Sequence, residues 1–183
     1  MPTGPDLLVT YDPQRHNRAQ QDMKAVLRRA EAEYEFIPND IPGVAQIRVD
    51  QDPKTLVKAL REYCREDPSM FGSTYRWIPV EAWTAATTEA VEELATAMDD
   101  RISDDETWGI QVKTHGSRLH SAEVVKEAER HIDHPKVDLD GPQKQCRFDI
   151  VGDHIAASVL APDERLNVND FRGQQVAASG RSS

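Results

Sequence analysis

Leu7-Leu-Val-Thr-Tyr11 is a short apolar, β-branched run, and behind it Ala19, Met23, Val26, Leu27 and Ala30 recur at helical spacing over residues 17 to 30. A strand followed by an amphipathic helix leaves several folds open, and the next fifty residues choose among them. Tyr34 to Ile37 and Ala45 to Val49 are strand-like runs separated by the breaker Pro38-Asn-Asp-Ile-Pro-Gly43, close enough to form a hairpin. Asp52-Pro53 supplies a helix cap and a first-turn proline, and Leu56, Val57, Leu60, Tyr63 and Cys64 fall on one face of the helix that follows. Pro68 ends that helix, and Tyr75 to Val80 closes the segment as a strand whose Pro79 suits a strand end. The order βαββαβ over residues 1–83 is that of a ferredoxin-like split βαβ unit.

A second module of mixed α and β occupies residues 84–171. The Thr84 to Thr88 region caps a helix carrying Val91, Leu94, Met98 and Ile102, and the acidic loop Ser103 to Glu106 leads into a strand at Trp108 to Thr114. After the polar loop His115-Gly-Ser-Arg-Leu-His120, Ser121 is placed to cap a helix with Val124, Val125, Ala128 and Ile132 on its apolar stripe. Two strands remain, Cys146 to Val151 and Ile155 to Leu160. In the first, Cys146, Phe148 and Ile150 alternate against Arg147 and Asp149, which predicts one buried and one wet face. From Gly173 onward the apolar pattern vanishes, so residues 172–183 are expected to be a disordered tail. The fold class is therefore α+β, a ferredoxin-like domain followed by a second α/β domain.

The 183 residues include 38% apolar and 30% charged side chains, and no run approaches the roughly 18 apolar residues of a membrane span. The N-terminus has neither a basic segment nor a long apolar one, which points to a soluble cytoplasmic protein with no membrane partner. Cys64 and Cys146 lie too far apart in sequence for a metal knuckle and are expected to be reduced apolar fillers. A net charge of −10 is the reverse of the usual nucleic-acid footprint. Fifteen of the 22 basic residues are Arg, however, and paired aspartates stand at 99–100 and 104–105, as on a surface adapted to high salt.

Signatures for catalysis are missing: there is no GxGxxG after a strand, no GxxxxGK[ST], no GxSxG and no HExxH. Asp138-Leu-Asp-Gly141 lacks the distal ligands of a calcium loop, and the HxxH of His131 and His134 lacks a completing ligand pattern, so no catalytic residue, metal or cofactor is assigned. Positive charge is more telling. Residues 70–106 carry 2 basic against 9 acidic side chains, whereas residues 107–148 carry 7 against 6. Within the second stretch, Lys113, Thr114, His115, Ser117, Arg118, His120 and Ser121 gather around Gly116, a set able to hold phosphates through charge, hydroxyls and the amides of a helix N-terminus. A smaller basic cluster, Arg15, Arg18, Lys24, Arg28 and Arg29, lies on the first helix.

The second module resembles a THUMP domain. The likeness rests on Ile110-Gln-Val-Lys-Thr114 opening into the polar loop, the helix from Ser121, the segment Lys136-Val-Asp-Leu-Asp-Gly-Pro142, which is similar to the family's KVDLxNP, and the strand pair Phe148 to Val151 and Ile155 to Leu160. Gly141 stands where the family often has Asn, and His115 where a further basic residue is common. A ferredoxin-like domain before a THUMP domain is the family's habitual arrangement. Most THUMP proteins carry a catalytic domain on the same chain, and this one leaves no room for it after residue 171, so the resemblance is to the stand-alone adaptor of the tRNA cytidine acetyltransferase. It implies a non-catalytic protein that grips tRNA near its acceptor end while a separate acetyltransferase forms N4-acetylcytidine. The residues it implicates in RNA binding are Arg76, Lys113, Thr114, His115, Arg118, His120, Ser121 and Lys136, with Lys113, Arg118 and Lys136 expected to share a groove.

Three other readings remain open on the sequence. One is an RNA-binding subunit for another tRNA modification such as thiolation or methylation, another is a protein-binding scaffold that never touches RNA, and the last is a small-ligand-binding ferredoxin-like module.

Overall fold

The computed structural model describes residues 4–173, and the chain divides into two compact units, residues 5–79 with the stretch from residue 163 onward, and residues 80–162 with Gly4. In the first unit, β1 (Leu7–Tyr11), α1 (His16–Arg29), β2 (Tyr34–Ile37), β3 (Val44–Val49), α2 (Pro53–Glu66) and β4 (Thr74–Pro79) follow one another as the periodicity predicts. Asp52 caps α2 by accepting from the Thr55 amide at 2.9 Å. The sheet order is β2-β3-β1-β4-β9, with every pairing antiparallel. Leu7 and Val9 meet Met23 and Leu27 of α1, Leu56 and Leu60 of α2, and Trp77 in a single core. Trp77 is wholly buried, its indole N–H donates to Thr74 Oγ1 at 3.1 Å, and that hydroxyl donates to the Phe71 carbonyl at 2.8 Å, so its one polar group is satisfied.

The strand β9 (Leu166–Asn167) differs from expectation. Residues expected to end the second module leave it at a 3-10 turn, Pro162–Glu164, and add to the exposed edge of β4, where Leu166 pairs with Trp77. Leu166, Val168 and Phe171 enter the first unit's core. Arg61 donates to the Arg165 carbonyl at 2.9 Å and stacks over the Phe171 ring at 5.3 Å. Residues 172 and 173 are helical, and the rest of the expected tail lies outside the described residues.

The second unit contains β5 (Ala82–Ala85), α3 (Thr88–Asp99), β6 (Trp108–His115), α4 (Ser121–Glu129), β7 (Lys144–Val151) and β8 (His154–Leu160). Its sheet, β5-β8-β7-β6, is mixed: β6 and β7 run parallel and the other pairs antiparallel. Strand β5 takes residues expected to be a helix-capping cluster, and the cap falls on Thr87, which accepts from the Ala90 amide at 3.1 Å. Phe148 and Ile150 are fully buried with Val91, Ala95, Val124, Ala128 and Ile132, so the inward face is the expected one, although of the two valines placed on the α4 stripe Val125 is only partly buried.

The opposite face of β7 departs from the alternation. Arg147 is 5% exposed and Asp149 1%, although the alternation predicts both in water. Cys64 and Cys146 are free and buried, and burial pushes their thiols up to about 11 and about 12 respectively, so neither is a nucleophile at neutral pH. No described helix is long and apolar enough to cross a membrane.

Candidate nucleic-acid interface

Strand β6 delivers the polar loop. It stays in parallel register with β7 through His115, and Gly116 then turns the chain at φ +64°, a left-handed conformation that favours glycine. Ser117 Oγ accepts from the Leu119 amide at 3.1 Å and tightens the turn. The residue preceding α4 is His120, with Ser121 as the first helical residue, so the expected Ser121 cap is displaced by one position. The His120 side chain does not cap the helix. The amides of Ser121 and Ala122 therefore face outward without a side-chain acceptor, the arrangement that makes a helix N-terminus receptive to an anion.

Around this turn lies a cleft of 280 Å³ lined by Ala86, Thr87, Ser117, Arg118, Leu119 and Asp153 among others. It brings the start of α3 beside the loop that precedes α4. Arg118, Thr114, His120 and Ser121 are exposed or nearly so, and Lys113 is half-buried. Neither Lys113 nor Arg118 makes an ion pair with another described residue, whereas Arg15, Arg18, Arg29, Arg101, Arg130 and Lys144 are each matched to a carboxylate. Within the basic cluster around the first helix, Arg15, Arg18 and Arg29 are matched in this way, while Lys24 and Arg28, like the loop cations, have no ion pair among the described residues. Asp153 is the acidic group that shares the cleft lining with Arg118.

His115 is tied to a buried carboxylate. Its Nε2 lies 3.2 Å from Asp149 Oδ1, and Arg147 grips the same carboxylate through Nε at 2.7 Å and Nη2 at 3.2 Å. Burial pushes the Asp149 carboxyl up, but the Arg147 guanidinium and the His115 imidazole outweigh it and hold the carboxyl below its usual range. A buried charge thus anchors His115, the residue from which the loop departs. Sequence alternation conceals this, since the only hint is Arg and Asp two apart on a strand whose register partner ends in His.

Lys136 is not brought to the loop. Its carbonyl accepts from the Trp108 amide at 2.9 Å, Val137 bridges Trp108 in parallel, and its Nζ donates to the Asp105 carbonyl at 3.3 Å. Trp108 begins β6 and His115 ends it, so Lys136 and the loop are separated by seven strand residues, about 23 Å at ~3.3 Å each. Lys136 thus lies at the start of β6, where the KVDL segment docks, with Lys113 five strand residues further along and Arg118 in the loop beyond the strand's end. Arg76 belongs to the first unit, on β4 opposite Thr10 and Asn167.

The two histidines of HxxH also part company. His131 Nε2 meets Glu127 Oε1 at 3.2 Å. His134 spans two acidic residues, with Nδ1 at 2.7 Å from Asp104 Oδ1 and Nε2 at 3.0 Å from the carboxylate of Asp99. Hydrogen bonds to Asp104 and to the Asp99 backbone raise its pKa above the ordinary value. The His134 carbonyl in turn accepts from the Trp108 indole at 2.9 Å, which holds the KVDL segment to the start of β6.

No family model matches the chain, and no curated protein does. Solved structures share its fold. PH1313 from Pyrococcus horikoshii superposes with a TM-score of 0.62 at 13% identity, over 89% of this chain and 55% of that one. A 4-thiouridine synthetase in complex with RNA and bound ATP gives 0.51 at 10% identity, over 90% and 42%. TrmN from Thermus thermophilus gives 0.50 at 13% identity, over 84% and 44%. The chain spans about half the length of these structures. At such identities the likeness is one of fold, and it supports a THUMP-like α+β architecture.

Proposed function

We propose that this chain binds tRNA for a tRNA-modifying system, and that it does so as a non-catalytic adaptor that presents tRNA to a separate N4-acetylcytidine acetyltransferase. The observation that carries the reading is the loop at the end of β6, where Arg118 lines a cleft with the start of α3 and neither it nor Lys113 on β6 has a carboxylate partner among the described residues, on a chain of net charge −10. Such a turn suits the phosphates and sugars of an RNA strand, contacts that position without reading sequence. The first unit's strand order β2-β3-β1-β4 supports a ferredoxin-like domain, and the likeness to a 4-thiouridine synthetase solved with RNA supports RNA as the ligand. The adaptor's contribution would be positional: holding tRNA at one point converts the enzyme's encounter with a distant cytidine into an event at high effective concentration.

The same solved structure favours a second reading, an RNA-binding subunit for thiolation. Nucleoside analysis of tRNA from a deletion strain separates the two. Loss of N4-acetylcytidine with 4-thiouridine retained is the outcome expected of the adaptor. Loss of 4-thiouridine alone transfers the protein to thiolation, and an unchanged nucleoside profile removes it from both.

A further inference from the structure

Helices α3 and α4 pack through Val91, Ala95, Val124 and Ala128, and along the rim of that contact they carry a set of side chains that RNA binding does not use. Glu92 of α3, Glu127 of α4 and His131 just past the end of α4 place one potential ligand atom each within 4.8 Å of one another. Glu127 and His131 are four residues apart, and Arg130 between them keeps helical angles, so both side chains leave the same face. Their facing atoms are 3.2 Å apart. A tetrahedral zinc-type ion with Zn–N and Zn–O bonds of about 2.0–2.1 Å requires a ligand-to-ligand edge of about 3.3 Å, so this edge is already close to the required length.

We propose that Glu92, Glu127 and His131 bind a divalent transition ion of the zinc class. Charge and chemistry agree with that ion. The Glu92 carboxylate has no hydrogen-bond or ion-pair partner among the described residues, and the second oxygen of Glu127 is held by Arg130 at 3.3 Å, which aims the first at the imidazole. Two carboxylates drawn toward one another repel until a cation lies between them, and the imidazole selects a borderline ion over Mg²⁺ or Ca²⁺, which take oxygen ligands alone. With three protein ligands, one at an exposed position, the remaining coordination site belongs to water. The ion ties α3 to α4, and any ion that binds only the folded chain stabilises it by mass action. The HxxH spacing does not show the pairing, because His131 takes its carboxylates from its own helix and from α3 rather than from His134's neighbours.

The test uses Co²⁺, whose visible absorption reports four- or five-coordinate ligation, titrated into the full chain at neutral pH with Zn²⁺ as competitor. One equivalent of Co²⁺ should develop the band, Zn²⁺ should discharge it, and equimolar Mg²⁺ should leave it unchanged. His131→Ala and Glu92→Gln should each weaken binding by at least the roughly 10–100-fold that changes outside the coordination shell already produce, while His134→Ala leaves it intact. Glu92→Gln alters an exposed side chain and keeps the test valid should His131→Ala unfold. No band, a band that Mg²⁺ displaces, or a band that persists in either ligand variant would overturn the assignment.

Discussion

Replacing Asp149 by asparagine removes one charge from the Arg147–Asp149–His115 network and changes little else. The amide side chain would keep the shape of the carboxylate and one acceptor oxygen, but it would leave the Arg147 guanidinium, 5% exposed, beside a neutral group. Breaking one partner of a buried pair costs about 3–5 kcal/mol, and the retained oxygen places this substitution near the lower figure. That is a large part of the roughly 4–12 kcal/mol expected for a unit of about 80 residues. With a urea dependence of about 1–3 kcal/mol/M, the unfolding midpoint of the full chain should fall by about 1–3 M, read by circular dichroism and tryptophan emission. Replacing both partners, Arg147→Met with Asp149→Leu, should recover most of the loss, since no buried charge then lacks a partner. The sign of the pH dependence follows from the depressed carboxyl. Its stabilisation is complete above the ordinary value of 3.8 and is lost as pH falls through the lower folded value. The gap between wild type and Asp149→Asn should therefore stay constant over about pH 5–8 and close only in stronger acid. A loss below about 1 kcal/mol, or a gap already closing at about pH 6, would refute the buried charge pair as the anchor of the loop.

His134 makes the opposite pH prediction. Its raised pKa means that its contribution is complete below the ordinary value of 6.5 and disappears as pH rises through the folded value, so wild type should melt lower at about pH 8 than at about pH 6 while His134→Gln shows a flatter profile. Phe148→Ala should destabilise the chain by about 3–5 kcal/mol in equilibrium unfolding, since the ring is wholly buried. Leu166→Asp should destabilise the first unit by putting a charge among Trp77, Val168 and Phe171, and limited proteolysis should then cut near residues 162–168 sooner than in wild type.

Local structure is what the sequence makes legible. Leu7 to Tyr11, the stripe on α1 and the Asp52-Pro53 start of α2 each carry their signal within a dozen residues, and the structure follows them closely. Elements stabilised by distant partners are not legible. Strand β9 has two residues, too few for alternation to register, and forms because β4 offers an open edge. Strand β5 is hidden because its Thr84 is as good a cap as Thr87, which does cap α3, and only pairing with β8 makes Thr84 extended. A wet face for Arg147 and Asp149 assumes a sheet with one solvated side, and both are buried, each supplying the charge that the other requires. At the candidate interface the loop residues stand out by their chemistry, whereas Lys136 stands out only by its motif, and its docking against Trp108 depends on a register that no local pattern encodes.

If the loop at the end of β6 holds tRNA phosphates, the salt dependence of tRNA binding must report it. Affinity for tRNA, measured by mobility shift across a salt series, should fall linearly on a log-log plot. Lys113→Ala with Arg118→Ala should weaken binding and reduce the slope by about 1.4–1.8, two phosphate contacts at roughly 0.7–0.9 each. A double variant that binds with the same affinity and the same slope as wild type would remove the loop from the binding surface, and a wild-type protein that binds no tRNA even at low salt would rule out tRNA as its ligand.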